Sequence, residues 1–194
     1  MLPGRRMLRA MPSRAERYVA HLDTLTGNTE PRLQPIPSTH AGLDDVIAFV
    51  YADEPEPRYL TGATYGLSLA DHPEWHGVKP ELWISVRSDD PVWALAIGYL
   101  AEQLRGTCPF VYGDTIDFGQ PIAPESAMTA FAVSAPAGLD AHQYTLIDIG
   151  GAPVSIAGCY PVHDTERRYI REHGIDAFWQ LDWDLYDVRR PPVV

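Results

Sequence analysis

The chain opens with alternating helical and extended patterns of apolar residues. Ser13-Arg14-Ala15-Glu16 has the form of a capping box, in which the Ser hydroxyl and Glu carboxylate satisfy free amides at a helix start. Tyr18, Leu22 and Leu25 then recur at helical spacing, and Gly27 marks the stop. Pro31, Pro35 and Pro37 follow, a passage expected to be extended but irregular. Val46 to Tyr51 is a β-branched and aromatic run, read as a buried strand. Arg58 to Leu69 reads as a second extended segment, with bends or bulges at Gly62 and Gly66, and Asp71 to Pro80 as a polar loop. Glu81 to Arg87 alternates, Leu82, Ile84 and Val86 on one face and Trp83, Ser85 and Arg87 on the other.

A helix is predicted from Asp90-Pro91, with the proline at the first helical position. Its apolar stripe is Trp93, Ile97, Leu100 and Leu104, and it stops at Gly106. Strands are expected at Thr115 to Phe118, Thr129 to Ser134, Tyr144 to Ile149, Val154 to Ala157 and Leu185 to Val188. Asp164-Thr165-Glu166 opens a polar helix that Gly174 interrupts, and Ile175 to Leu181 continues as an apolar one. Strands in consecutive runs, rather than strict alternation with helices, argue for α+β: one domain with a mixed, mostly antiparallel sheet and flanking helices. Residues 13–194 form that domain, after a flexible arginine-rich arm over 1–12.

Length agrees with this division. A chain of 194 residues buries roughly 70% of its unfolded surface and needs no disulfide or metal to fold. It has no run of 18 apolar residues, so no spanning helix or membrane partner is expected. Charge changes the picture more. Acids outnumber bases 26 to 15, and Lys79 is the only lysine. Five arginines (Arg5, Arg6, Arg9, Arg14 and Arg17) crowd the first seventeen residues beside a single acid, Glu16. The remainder therefore holds 10 bases against 25 acids, a formal −15. Such a body repels phosphate backbones, so nucleic acid is excluded as a partner, whereas a basic protein is attracted. The same acids also serve solubility. Cys108 and Cys159 show no metal or framework spacing, and the N-terminus has no secretory signal. Reduced thiols in a cytoplasmic protein are the expectation, with a bridge between the two as the alternative; Met7 and Met11 are alternative starts to Met1.

Candidate chemistry is sparse. Asp71-His72-Pro73-Glu74-Trp75-His76 gathers two imidazoles and two carboxylates. A metal-dependent hydrolase using His72, Glu74 and His76 is conceivable, but His-x-x-x-His pairs its rings only on a helix, which Pro73 and Gly77 oppose. Cys159 with His163 has the ingredients of an activated thiol, yet it follows an apolar strand, where a buried small hydrophobe is commoner. Trp83, Trp93 and Trp179 fit core-facing or interface positions, and at least some of them read as core. Gly150-Gly151 reads as a turn, and no dinucleotide, P-loop or hydrolase motif occurs. No catalytic residue, metal site or cofactor is expected.

Read in order, several blocks over about residues 45–190 resemble the Suppressor of fused family. They are Tyr65-Gly66-Leu67-Ser68 before the strand Pro80-Glu81-Leu82-Trp83-Ile84-Ser85-Val86; the Trp-headed helix start Pro91-Val92-Trp93-Ala94-Leu95; the Gly113-Asp114 turn within Phe110–Ile116; the stretch Ile149–Glu166; and the closing Asp187-Val188-Arg189-Arg190, where Asp187 is positioned to receive an arginine. Animal members bind a zinc-finger transcription factor of Hedgehog signalling, its peptide added as a strand between this domain and a second one. This chain stops where the first domain would, so the resemblance implies one domain without that second jaw and no Hedgehog role. Single-domain bacterial members are regarded as immunity proteins against polymorphic toxins. The resemblance thus implies a non-catalytic protein-binding domain of bacterial type, an immunity protein that neutralises a basic toxin. A regulatory adaptor with a non-toxin partner is the alternative. The expected contacts are the acidic turn Asp53, Glu54 and Glu56 and the C-terminal set Asp182, Asp184 and Asp187, with an exposed strand edge as a second possibility.

Overall fold

The computed structural model describes residues 11–194. The first helix, α1 (Arg14–Leu25), begins at the expected capping box: the Ser13 hydroxyl accepts from the Glu16 N–H at 3.2 Å, and the Glu16 carboxylate accepts from the Ser13 N–H at 2.7 Å. Then come β1 (Arg32–Ile36), β2 (Val46–Ala52), β3 (Leu60–Tyr65), β4 (Lys79–Val86), α2 (Val92–Leu104), β5 (Thr115–Asp117), β6 (Ala130–Ser134), α3 (Ala141–Tyr144), β7 (Val154–Val162), α4 (Asp164–His173) and α5 (Ile175–Trp179). The seven strands form one sheet in the order β1-β2-β3-β4-β7-β6-β5. All neighbours run antiparallel except β4 and β7, which are parallel. This is the mixed, mostly antiparallel α+β domain expected.

Each face of the sheet has its own cover. Trp93, Ile97 and Leu100 of α2 pack with Val46, Val50, Leu60, Leu82, Ile84 and Val86 from β2, β3 and β4. Contact there is close: a Cβ built on Gly62 of β3 would lie 2.6 Å from the Ala94 Cβ. The glycine marks this approach of strand to helix, not a bend or bulge. Two separate clusters form with the remaining side chains. Tyr18 and Leu22 of α1 join Phe49, Tyr51, Ala63 and Trp83. Ile170, Ile175 and Phe178 of α4 and α5 join Ala130, Ala132, Tyr160 and Val162. The segment Ala135-Pro136-Ala137 passes close over the backbone at Gly158, where a Cβ would lie 3.0 Å from the Pro136 Cα. The Tyr160 hydroxyl fixes this segment, donating to the Ala135 carbonyl at 2.7 Å and accepting from the Ala137 N–H at 2.6 Å.

The blocks that carried the family resemblance are joined by buried polar contacts. Glu81 has no exposed surface, and its carboxylate accepts from the Gly66 N–H (2.9 Å), the Ser68 N–H (3.0 Å) and the Thr64 hydroxyl (2.7 Å). Burial, the largest influence, still leaves this carboxyl above its usual range.

Several expectations are corrected. The proline-rich passage is not irregular: Arg32–Ile36 is an edge strand, where a proline lacking an N–H is tolerated. Tyr144 to Ile149 is not a strand. Gln143 accepts from the Asp140 N–H at 2.8 Å, a helical turn forms, and only Ile147 bridges to Val154. The strand predicted at Val154 to Ala157 runs on to Val162 through Gly158 and Pro161. Leu185 to Val188 forms turns, and α2 starts one residue later than expected, after Pro91. Among the described residues Asp187 receives no arginine side chain; it accepts from the Arg189 N–H at 2.9 Å, while Arg189 and Arg190 pair with Glu125 and Glu166. The charge division moves as well. Arg14 is anchored on α1, donating to the carbonyls of Gly150 (2.6 Å) and Ala152 (2.9 Å), and Arg17 lies on the same helix. Of the stretch 1–12, residues 1–10 lie outside the described residues. Without Arg5, Arg6 and Arg9 the bases number 12 against 26 acids, a formal −14 on residues 11–194.

Candidate functional site

The acidic turn joins β2 to β3. Asp53 is exposed with φ 55°, and its carboxylate accepts from the Arg58 N–H at 2.9 Å, which closes the turn. Glu54 is half-buried: one carboxylate oxygen accepts from the Thr29 hydroxyl at 3.1 Å, and its carbonyl accepts from the Thr61 hydroxyl at 2.7 Å. Glu56 is exposed.

Of the C-terminal set, Asp182 and Asp184 are exposed and Asp187 is half-buried. Asp184 accepts from the Tyr186 N–H and from Arg87, each at 3.0 Å. Burial is the largest single influence and pushes its carboxyl up. The Tyr186 amide and the Arg87 side chain together outweigh it and hold the group below the usual range.

The fold brings Glu54 and the segment around Asp184, 130 positions apart in sequence, to one place. Arg87, the residue after β4, lies 5.6 Å over the Tyr59 ring while it pairs with Asp184. Tyr59 in turn meets Tyr186 edge to face at 5.4 Å. Behind them is a cavity of about 120 Å³, lined by Leu25, Glu54, Pro55, Thr61, Trp83, Ser85, Leu139 and Tyr186 among others. It lies at the seam where the α1 cluster, which includes Trp83, gives way to the cluster of α4 and α5. Sequence reasoning named Glu54 and Asp184 but missed Tyr59 and Tyr186. The alternation of β4 put Trp83, Ser85 and Arg87 on one face but carried nothing about Glu54, Tyr59 or Tyr186.

The other candidates carry less chemistry. His72 and His76 do not share a helical face: they flank a 3₁₀ turn, with His72 extended and His76 left-handed, and His72 Nδ1 accepts from the Glu74 N–H at 3.2 Å. Trp75 between them is buried and donates to the Pro109 carbonyl at 2.9 Å, so this stretch is more than a polar loop. Among the described residues no group of three or more His, Cys, Asp or Glu side chains is placed to hold a metal ion. Cys159 is 2% exposed and its thiol is pushed far up by burial, the opposite of activation. His163 is turned to the Arg190 carbonyl at 3.0 Å. Both cysteines are free thiols. Among the described residues no helix is long and apolar enough to cross a membrane.

The profile of the Suppressor of fused protein (SUFU) family matches residues 43–191. Several solved structures share the fold. One, described as a SUFU homolog from Neisseria gonorrhoeae FA 1090, gives a TM-score of 0.70 at 19% identity, over 92% of this chain and 95% of that one. A chain of the Sufu-Fu complex gives 0.67 at 16% identity, over 94% of this chain and 93% of that one. Drosophila Suppressor of Fused gives 0.66 at 15% identity, over 94% of this chain but 51% of the other, so this chain spans about half of that one. No curated protein sequence matches this chain. Identities this low establish the fold alone, but the profile match extends over well more than half of the sequence. On that match, the chain belongs to the Suppressor of fused family.

Proposed function

We propose that this protein acts without catalysis, by binding another protein, and that the partner is a basic toxin that it neutralises stoichiometrically in the cytoplasm. The observation that carries the reading is the charge of residues 11–194, 12 bases against 26 acids, together with the acidic turn and Asp184 meeting around the half-buried rings of Tyr59 and Tyr186. Opposite potentials steer encounter and fix orientation. A relative occurs in a Sufu-Fu complex, which supports protein binding as the mode of action. The toxin itself rests on the analogy with single-domain bacterial members. Asp53, Glu54, Glu56, Asp182, Asp184 and Asp187 are the proposed contacts; Asp184 acts as one half of an ion pair, and Asp187 as a turn-former at the margin.

The test is coexpression with a toxin encoded beside this gene. Rescue of growth, and a complex that survives gel filtration, are expected. Replacing Asp53, Glu54 and Glu56 by Ser slows association about tenfold at low salt and flattens its salt dependence. Growth without rescue and no complex overturns the immunity reading. A stable complex with a protein that is not a toxin replaces it with the adaptor reading.

A further inference from the structure

Resting on the protein-binding reading, we infer that the cavity between the acidic turn and Tyr186 receives one arginine side chain from the partner. Its lining suits a guanidinium on a hydrocarbon stem. The Glu54 carboxylate makes no ion pair among the described residues, and only one of its oxygens is engaged, by Thr29. The Trp83 and Tyr186 rings supply π faces, and Leu25, Pro55 and Leu139 supply apolar wall. A buried relay adds an acceptor. Thr61, 1% exposed, gives its proton to the Glu54 carbonyl at 2.7 Å, so Ser85 donates to Thr61 at 2.8 Å and its own oxygen stays free to accept.

The chain binds its own arginines by the same combination. Arg87 sits over Tyr59 and pairs with Asp184; Arg190 sits 4.8 Å over Trp183 and pairs with Glu166. Glu54, Trp83 and Tyr186 line the cavity together, and none of its lining residues is an arginine. The cavity volume of about 120 Å³ is on the scale of a single side chain. Two acceptors at different positions favour a planar fork of donors over the point charge of lysine.

The experiment follows the indole N–H of Trp83 in a ¹⁵N correlation spectrum of the full chain, assigned with Trp83→Phe, at constant ionic strength. N-acetylarginine amide is the probe, and the corresponding lysine and glutamine amides are controls. A saturable shift with the arginine probe is expected, weaker by about tenfold in Glu54→Gln, which keeps an acceptor for Thr29. No saturable shift, an equal response to lysine or glutamine amide, or an unchanged affinity in Glu54→Gln overturns the inference. Because the probe is a small molecule, the outcome is independent of toxin neutralisation. Failed growth rescue with intact arginine binding removes the toxin and leaves the receptor.

Discussion

Arg190 fastens the C-terminal segment onto α4. It donates through both terminal nitrogens to Glu166, one contact at 2.9 Å, and the two side chains are 6% and 0% exposed. Glu166 also accepts from the His163 N–H at 2.9 Å and the Val193 N–H at 3.0 Å. Burial, the largest single influence, pushes this carboxyl up; the Arg190 and backbone donors, with the guanidinium charge, bring it below the usual range. Arg190→Met keeps much of the side-chain volume and strands the carboxylate, at a cost of about 3–5 kcal/mol. Urea unfolding at pH 7 reads this directly.

Acid makes the same point with a sign. In the parent protein the folded Glu166 titrates below its unfolded value near 4.5, so its stabilisation is full above that value and is lost as pH falls through the folded one. In Arg190→Met, burial without the guanidinium raises the folded value, so the folded state takes up a proton before the unfolded chain does. The gap between the two proteins therefore narrows toward pH 4. Adding Glu166→Gln to Arg190→Met costs less than the two changes summed, since the stranded charge is gone. A loss below about 1 kcal/mol, or a gap that stays constant with pH, refutes the buried ion pair as the C-terminal fastening.

Two further outcomes follow from packing. Gly62→Ala places a Cβ 2.6 Å from the Ala94 Cβ and 2.8 Å from its Cα, so strand and helix must part. A loss of roughly 1–3 kcal/mol is expected, at about 2–4 °C of Tm for each kcal/mol; a gain, as chain entropy alone would give, contradicts the close approach. Cys159, buried with its thiol pushed up, should resist alkylation in the native protein and react only on unfolding. Labelling of native Cys159 faster than of Cys108 would revive it as a nucleophile.

What the sequence disclosed was local. The stripe of α2, the alternation of β4 and the capping box of α1 each sit within a few residues and set the element that contains them. The failures have local causes too. Pro35 spoke against a strand, but β1 is an edge strand with a ladder on one side only, where a missing N–H is tolerated. Gly158 and Pro161 shortened β7 on paper; in the fold, Gly158 makes room for the Ala135-Pro136-Ala137 segment. Ile147 and Ile149 looked like strand residues because they are apolar and branched. They are buried in the α1 cluster, and only Ile147 touches the sheet, by its single bridge to Val154. The cavity was invisible for another reason: Glu54, Thr61, Trp83, Ser85 and Tyr186 meet only after the sheet and the C-terminal segment assemble, and no spacing encodes that.

The lone parallel pairing has a consequence for how the chain reaches this state. Strands β1 to β4 form by successive antiparallel steps along the sequence, as do β5 to β7. Only the β4–β7 ladder, in which Lys79 meets Val154 and Trp83 meets Gly158, must close across 75 positions. Loop-closure entropy makes that the slow, non-local event of folding. Because both large core clusters draw side chains from the two halves, the core closes only when that ladder does.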